Sequence, residues 1–348
     1  IDVAINRVLL SFTAHGIVST ATIRGRMEAS PTTSNGLCRQ MTEEDDENLD
    51  LLNTFLKLEE IDSDLYKSTH QLRGRKCYNR VYGGQVVGQA LMAAQRTVEP
   101  HFHAHSLHSY FLKEADAERP LVYEVVRIRD GRSFATRLVR AKQSGVAVFS
   151  TSISYQRDEK DSISHQASIP DVPPPEECED ATRFLKRLLK DPSTVSAEGQ
   201  RAALAYQQVL DFPRTFQIRF VTPTKYIKMP LNEPLKFACW VKNNTIIGED
   251  EHLHHCVAAF ISDITPIGTP LGAHAAAGFK LGMAASLDHS MWIHRHDFRI
   301  DNDWVLYETE STVAAGSRAL IHGKMWTRDG RLVISSSQEI LIRGQRPE

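Results

Sequence analysis

The stretch Ala284–Arg295 reads AASLDHSMWIHR, and it echoes Ala104–Lys113, AHSLHSYFLK, 180 residues earlier. Ser106-Leu107-His108-Ser109 in the first copy meets Ser286-Leu287-Asp288-His289-Ser290 in the second, one residue longer. The flanks repeat as well. Leu121–Gln156 and Trp304–Arg343 each hold a strand-like run, a small turn (Gly131-Arg132-Ser133 or Gly316-Ser317), a second run, a Gly turn and a third, Ser-rich run. An internal repeat of this length predicts a duplicated domain before any motif is consulted.

The bulk numbers agree. At 348 residues the chain is long enough for two domains with their own cores. Charged residues make up 24% and the formal net charge is −2, so no basic surplus favours nucleic acid or an anionic membrane as partner. No apolar run approaches the ~20 residues of a membrane span. The five cysteines are widely spaced with no CxxC pair, which suits a reducing compartment. Ile1–Ser30 carries Arg7, Arg24 and Arg26 among Ser and Thr with few acids. That resembles a mitochondrial presequence in composition, but composition alone does not identify an address, and a disordered leader is the favoured reading. Met27 or Met41 could each be a start.

Outward from the echo, each copy reads as one helix followed by antiparallel strands, an α+β pattern. In the first copy Leu49–Leu58 has apolar residues at helical spacing, Tyr66–Tyr82 is an extended lead-in, and Gly83–Thr97 is a helix opened by two glycines and rich in small residues, so another element can approach closely. Strands are expected at Ser106–Leu112, Leu121–Asp130, Ser133–Gln143 and Val146–Ser154. Arg157–Asp180, with Pro173-Pro174-Pro175, reads as a linker, and Ala181–Leu189 as a helix. The second copy opens with strands at Thr215–Phe220 and Leu235–Asn243 and a helix at Glu249–Ile261, and Ile293 onward repeats the strands. The expected divisions are a leader over 1–44, a first domain over 45–156, a linking segment over 157–212 and a second domain over 213–345. A helix wrapped by a curved antiparallel sheet is the hotdog arrangement, and two in one chain, sheets side by side, make a double hotdog.

Several chemistries are missing. No Gly-x-Ser-x-Gly elbow occurs (Ala315-Gly316-Ser317-Arg318 fails it), and no phosphate loop, Gly-x-Gly-x-x-Gly or His-Glu-x-x-His. His101, His103 and His105 alternate, and His252, His254 and His255 sit near a helix start; neither spacing matches a metal site, so they read as surface or interface side chains. The positive candidates lie in the second copy. Asp263 ends an apolar helix: burial would raise its pKa and make it a general base, or it caps a local turn. Ser286 is a strand hydroxyl that can hold water without being a nucleophile. Gln338 lies in a strand, facing either a core, where it needs partners, or solvent. Asp288 and His289 are adjacent on a strand, point to opposite faces and so make a poor acid–base pair with each other.

The chain resembles the type II acyl-coenzyme A thioesterases, bacterial and animal peroxisomal. The markers are VYGGQVVGQAL (Val81–Leu91), HSLHSYFL (His105–Leu112), DGRSFATRLVRAKQSG (Asp130–Gly145), VPPPEE (Val172–Glu177), HCVAAFISD (His255–Asp263), SLDHSMWIH (Ser286–His294), GSRALIHGKMWTRDGRLV (Gly316–Val333) and SSQE (Ser336–Glu339). The resemblance implies a double hotdog that hydrolyses fatty acyl-CoA, with an Asp, a hydroxyl and a Gln positioning a water; by motif position these fall on Asp263, Ser286 and Gln338. Bacterial members carry Thr at Ser286. No cofactor, metal or membrane span is expected, and a homo-oligomer is left open. Gly83 and Gly84 are candidate amide donors to the oxyanion, and Arg132, Arg137, Arg140 and Arg318 candidates for the CoA phosphates. Tunnel depth is expected to depend on side chains such as Met92, Phe260 and Met283. The resemblance points to the peroxisome, although the final GQRPE is not a Ser-Lys-Leu address, with cytoplasm or mitochondrion as alternatives. Other readings are a hotdog hydratase or dehydratase, which needs an Asp and a His working together, and a non-catalytic acyl-CoA binder. The first copy is expected to be silent: the stretch matching Phe260–Asp263 lies around Ala93–Arg96, and Ile153 or Ser154 stands near the place of Gln338.

Overall fold

The two echoed segments lie against each other. Leu107 faces Met291 and Ser109 faces His289 across an antiparallel pair, so the repeat forms the seam of the molecule. The structure, a computed structural model, describes residues 50–345 apart from 76–77, 192, 194, 210–214, 227–230, 232–233 and 302. These belong to a unit spanning Met41–Glu348; the expected leader over 1–44 lies outside the described residues.

The first part comprises β1 (Leu58–Asp62), β2 (Leu65–Ser68), β3 (Arg73–Arg75), β4 (Tyr78–Val81), α1 (Gly83–Gln95), β5 (Phe102–Phe111), β6 (Val122–Asp130), β7 (Phe134–Gln143) and β8 (Val146–Arg157). Then come α2 (Ala181–Lys190), α3 (Ala197–Val209), β9 (Phe216–Phe220), α4 (Pro223–Tyr226) and β10 (Leu235–Asn243). The rest is α5 (Glu251–Ile261), α6 (Gly268–Ala276), β11 (Leu281–Ser286), β12 (Asp288–Ile293), β13 (Val305–Ala315), β14 (Arg318–Thr327) and β15 (Leu332–Gly344). One sheet runs β1-β2-β6-β7-β8-β5-β12-β15-β14-β13-β10-β9, with β11 also on β15, and β3 pairs with β4 separately. The ladders are antiparallel, which hairpin turns such as Ser144-Gly145 and Gly316-Ser317, with positive φ, permit.

The sheet curls because one face must cover two helices that are buried on nearly every side. In α1, Val86, Val87, Ala90, Leu91, Ala93 and Ala94 are buried, and so are Gln85 and Gln89. These two amides are tolerated because Gln85 Nε2 donates to the carbonyls of Phe55 and His70, and Gln89 accepts from the Tyr123 hydroxyl. Helix α5 runs antiparallel to α1 at close range. A Cβ on Gly88 would sit 2.9 Å from the Cys256 carbonyl oxygen, and one on Gly84 would collide with that of Phe260. The two glycines, one helical turn apart, let the backbones touch.

The sequence reading and the structure differ in three places. The expected Leu49–Leu58 helix is a five-residue π turn, Leu52–Leu56, because β1 already begins at Leu58. The segment read as linking carries α3, whose Arg201 guanidinium caps the α6 end at the carbonyls of Ala275 (3.2 Å) and Ala276 (2.7 Å). Helix α6, GTPLGAHAA, was hidden by its Gly and Pro; Pro270 is harmless there because it lies in the first turn. Pro173-Pro174-Pro175 runs along the sheet's outer face, where the Trp240 indole donates to the Pro173 carbonyl. Cys178, Cys239 and Cys256 are free, buried thiols. Among the described residues no helix is long and apolar enough to cross a membrane.

Candidate active site

Asp263 stands two residues beyond the end of α5, where free helix carbonyls collect. Two tyrosines occupy those carbonyls: Tyr82 donates to that of Phe260 (2.9 Å) and Tyr307 to that of Ser262 (2.6 Å). The turn is thereby held rigid, and Asp263 is aimed at the start of α1. There the Gly84 amide donates to its carboxylate. A Cβ on Gly83 would lie 2.7 Å from Asp263 Oδ2, so this approach requires glycine.

Ser286 ends β11 and Gln338 lies within β15. Alternation along β15 turns Ser336, Gln338 and Ile340 inward, which settles the orientation that pattern alone left open. Gln338 Nε2 donates to Asp263 Oδ1 at 2.6 Å and to Ser286 Oγ at 2.7 Å, and Ser286 Oγ lies 3.3 Å from the same carboxylate oxygen. The three residues, drawn from three separate segments, thus form one hydrogen-bonded group. Gln338 is not on the cavity wall: Asp263 and Ser286 are, and Gln338 stands behind them.

The cavity in front measures about 650 Å³. Val81, Val86, Phe111, Phe149, Ile264 and Met283 line it with apolar surface, Gly83 and Ser286 sit beside Asp263, and Lys113 and the Arg80–Glu114 ion pair (2.6 Å) add charged groups to its wall. Of the three side chains expected to set its depth only Met283 lines it; Met92 and Phe260 are buried in the core between the helices. The arginines read from the sequence are elsewhere. Arg132 is exposed in the β6–β7 turn and does not line the cavity. Arg140 lies 3.8 Å from Glu124. Arg318 pairs with Glu339 at 2.8 Å beside a separate small hollow. Arg137 is buried, donating to Thr97 Oγ1, three backbone carbonyls and Asp130. The Arg80 and Lys113 positions gave no sequence signal, because only the fold brings β4 and the end of β5 to one cavity.

Burial pushes the Asp263 carboxyl above its ordinary range, opposed by the nearby His289 and by hydrogen bonds from Gln338, Gly84 and Ser286. Burial holds the His289 imidazole below its ordinary value, opposed by Asp263 and Gln338. The result is a carboxylate more basic than a solvated one yet held in a fixed orientation. Asp288 points the other way and accepts from the Glu339 amide, so Asp288 and His289 do face apart as their adjacency requires.

The two histidine clusters are not separate. His103 stacks on His296 (centroids 4.1 Å apart) and on His252 (5.1 Å), with Asp158 and Glu251 at the edge. His103, Asp158 and His296 lie close enough together to suggest an ion. The stack works against it: ring lone pairs lie in the ring planes, and nearly parallel planes do not meet at one ion.

Two sequence profiles match, the acyl-CoA thioesterase N-terminal domain over residues 72–156 and the C-terminal domain over 177–342. Acyl-coenzyme A thioesterase 8 of Homo sapiens is 41% identical over 294 residues, covering 84% of this chain and 89% of that protein. Acyl-CoA thioesterase 2 of Haemophilus influenzae is 34% identical, covering 84% and 98%. The crystal structure of an acyl-CoA thioesterase II from Mycobacterium marinum superposes with a TM-score of 0.66 at 34% identity, covering 84% of this chain and 97% of that one. A hot dog fold protein from Alicyclobacillus acidocaldarius gives a TM-score of 0.65 at 16% identity, over 86% and 100%, a likeness of fold alone. The fold is a double hotdog carrying a thioester hydrolase scaffold. The chain belongs to the type II acyl-CoA thioesterase family.

Proposed function

We propose that Asp263, Ser286 and Gln338 are the working group of this acyl-CoA thioesterase, and that its substrate is a fatty acyl-CoA. The observation that carries the assignment is a hydrogen-bonded Asp–Ser–Gln group whose Asp and Ser line a largely apolar cavity. The acyl chain lies along Val86, Phe149 and Met283 with its thioester beside Ser286. Water meeting Asp263 and Ser286 attacks the carbonyl carbon, forming a C–O bond as Asp263 takes a proton. The oxyanion is held at the start of α1, where Gly83 faces the cavity and the helix dipole is positive; the Gly84 amide serves Asp263 instead. Collapse breaks the C–S bond, and the proton on Asp263 goes to the departing thiolate. Gln338 contributes by fixing Asp263 and Ser286. Lys113 is the cation placed to meet the CoA phosphates, with the Arg80–Glu114 pair beside it on the same wall.

The hydratase reading needs an imidazole facing substrate, and His289 is fully buried behind Gln338. The test uses purified protein. With palmitoyl-CoA and a thiol reagent, CoA release is expected; with an enoyl-CoA, the double bond should persist. Loss of the double bond without thiol release would overturn the assignment, as would full thiol release by the Asp263→Asn protein. The compartment proposed is the peroxisome, on the resemblance to animal peroxisomal members; immunofluorescence in cytoplasm or mitochondrion would refute it. Further pairing of two chains is proposed as well, and a monomeric mass by light scattering would exclude it.

A further inference from the structure

His289 is a buried group in this neighbourhood that the reaction above does not use, and its place is specific. Gln338 serves Asp263 and Ser286 through the same nitrogen, so its amide must present Nε2, not Oε1, to the site. The two ends of a carboxamide have the same shape, and rotation by half a turn would set Oε1 against a carboxylate oxygen. The atom at the far end decides which way it stands. Gln338 Oε1 lies 2.9 Å from His289 Nδ1. A carbonyl oxygen only accepts, so Nδ1 must carry the proton. The other ring nitrogen, then an acceptor, is 2.8 Å from Ser262 Oγ, whose single proton is shared between it and the Ala259 carbonyl, also at 2.8 Å. Ser262 is the residue just before Asp263, so the imidazole ties the β15 amide to the turn that carries the carboxylate.

We propose that His289 is a positioning residue: its Nδ1–H locks the Gln338 amide so that Nε2 holds Asp263 and Ser286 together. The inference rests on the assignment of those three residues to the reaction. Neither His289 nor Gln338 lines the cavity, so the effect belongs to turnover and not to substrate binding.

Position-matched substitutions test it. An Asn side chain places its amide nitrogen near the site of Nδ1, and a Gln side chain near that of Nε2. His289→Asn keeps the donor to Gln338; His289→Gln moves it to Ser262. Expected is kcat within a few-fold of the parent for Asn and about 10- to 100-fold lower for Gln, the usual worth of one buried hydrogen bond to a polar group. KM should stay within about two-fold for both. In a Gln338→Ala background, His289→Gln should cost much less than in the parent, since its route through the Gln338 amide is gone and only its contact with Ser262 beside Asp263 remains. Equal losses for Asn and Gln, no loss for either, or an undiminished loss in the Gln338→Ala background would each overturn the proposal. A fall in kcat that tracks the melting temperature would do the same. Asp263→Asn is assayed alongside: full activity in that variant sinks the assignment of the site, whereas an inactive variant beside flat His289 substitutions sinks the positioning role alone.

Discussion

The turns after α5 and after α1 are the same place in two copies of one unit, and they hold opposite chemistry. Two residues beyond α5 stands Asp263; two residues beyond α1 stands Thr97. Around Asp263 are Gln338, Ser286 and His289. Against Thr97 lies the buried Arg137 guanidinium, whose Nε donates to Thr97 Oγ1 at 2.7 Å. One end has a carboxylate facing a cavity. The other has a cation whose donors are already taken by protein, and it leaves nothing to activate water. Duplication supplied two candidate sites and sequence change filled one of them.

The seam repeats the lesson. In β5 His108 is on the outer face, exposed, with Nδ1 3.1 Å from Ser290 Oγ. In β12 the matching His289 is fully buried. Side chains alternate along a strand, so one extra residue, Asp288, reverses the face on which the histidine emerges. The insertion visible in the sequence is therefore the step that puts an imidazole behind Gln338. The residue facing inward in β5 is instead Ser109, and its cross-strand partner is Thr151, at 2.9 Å. Counting from the helix ends sets Thr97 against Asp263. The strand register sets Ile153, opposite Arg137 on β7, against Gln338, opposite Ile321 on β14, and it sets Ser109 and Thr151 at the level of Met291 and Ser336.

The largest expected effect breaks the comparison directly. Asp263→Asn should lower kcat/KM by roughly 10²–10⁴, the usual worth of a positioned general base. Thr97→Val should change it by no more than a few-fold. Steady-state assays on one acyl-CoA decide it, and comparable losses at the two turns would mean that both copies work.

How much of this was legible beforehand follows from the range of each signal. The strands β5 to β10 and β13 to β15 and helices α1, α2 and α5 are written in local periodicity, and their order in the repeat; the short β1 to β4 and β11 are not. The proposed site residues were within reach because Asp263, Ser286 and Gln338 fall inside family motifs. His289 was passed over because adjacency to Asp288 rules out only that pairing; its true partner is 49 residues away on β15. Tyr82 and Tyr307 were missed for the same reason, since a hydroxyl capping a distant helix end leaves no spacing to read. The arginines misled because charge is counted along the chain, whereas Arg137 alternates inward on β7 and is buried.

A middle-sized effect sharpens the description of the group. Ser286→Ala and Gln338→Ala each remove hydrogen bonds to the Asp263 carboxylate, worth about 1–3 kcal/mol for a charged partner. Each should lower kcat/KM by roughly 5- to 150-fold, less than Asp263→Asn. The two residues bond each other as well as Asp263, so the double variant should be sub-additive. Additive losses would mean that they act on separate steps.

Stability should move the other way. Burial raises the folded-state pKa of Asp263, so the stability it contributes is present in acid and is lost as pH rises from the ordinary Asp range through the raised value. The amide introduced by Asp263→Asn cannot ionise. The melting temperature of that variant should match the parent near pH 4 and exceed it by a few degrees at about pH 7, measured by calorimetry. Parent activity should climb over the same interval as the carboxylate forms. A parent protein that is the more stable of the two at neutral pH would show that the hydrogen bonds to the charge outweigh its burial.

The smallest effect is expected on the silent side. Thr151 and Ser109 share a hydroxyl hydrogen bond two residues along β8 from Ile153, the counterpart of Gln338. Thr151→Ala removes it, and turnover should stay within a few-fold because no cavity-lining residue depends on it. Ser154→Ala, which loses only the contact with His105, should do the same. What Thr151→Ala does lose is one buried hydrogen bond, about 1 kcal/mol, which lowers the melting temperature slightly. A turnover loss near that of Gln338→Ala, at an unchanged melting temperature, would place working chemistry in both halves. Arg137 at the end of α1 would then need a catalytic role, and the reading of that end as filled by a structural cation would fail with it.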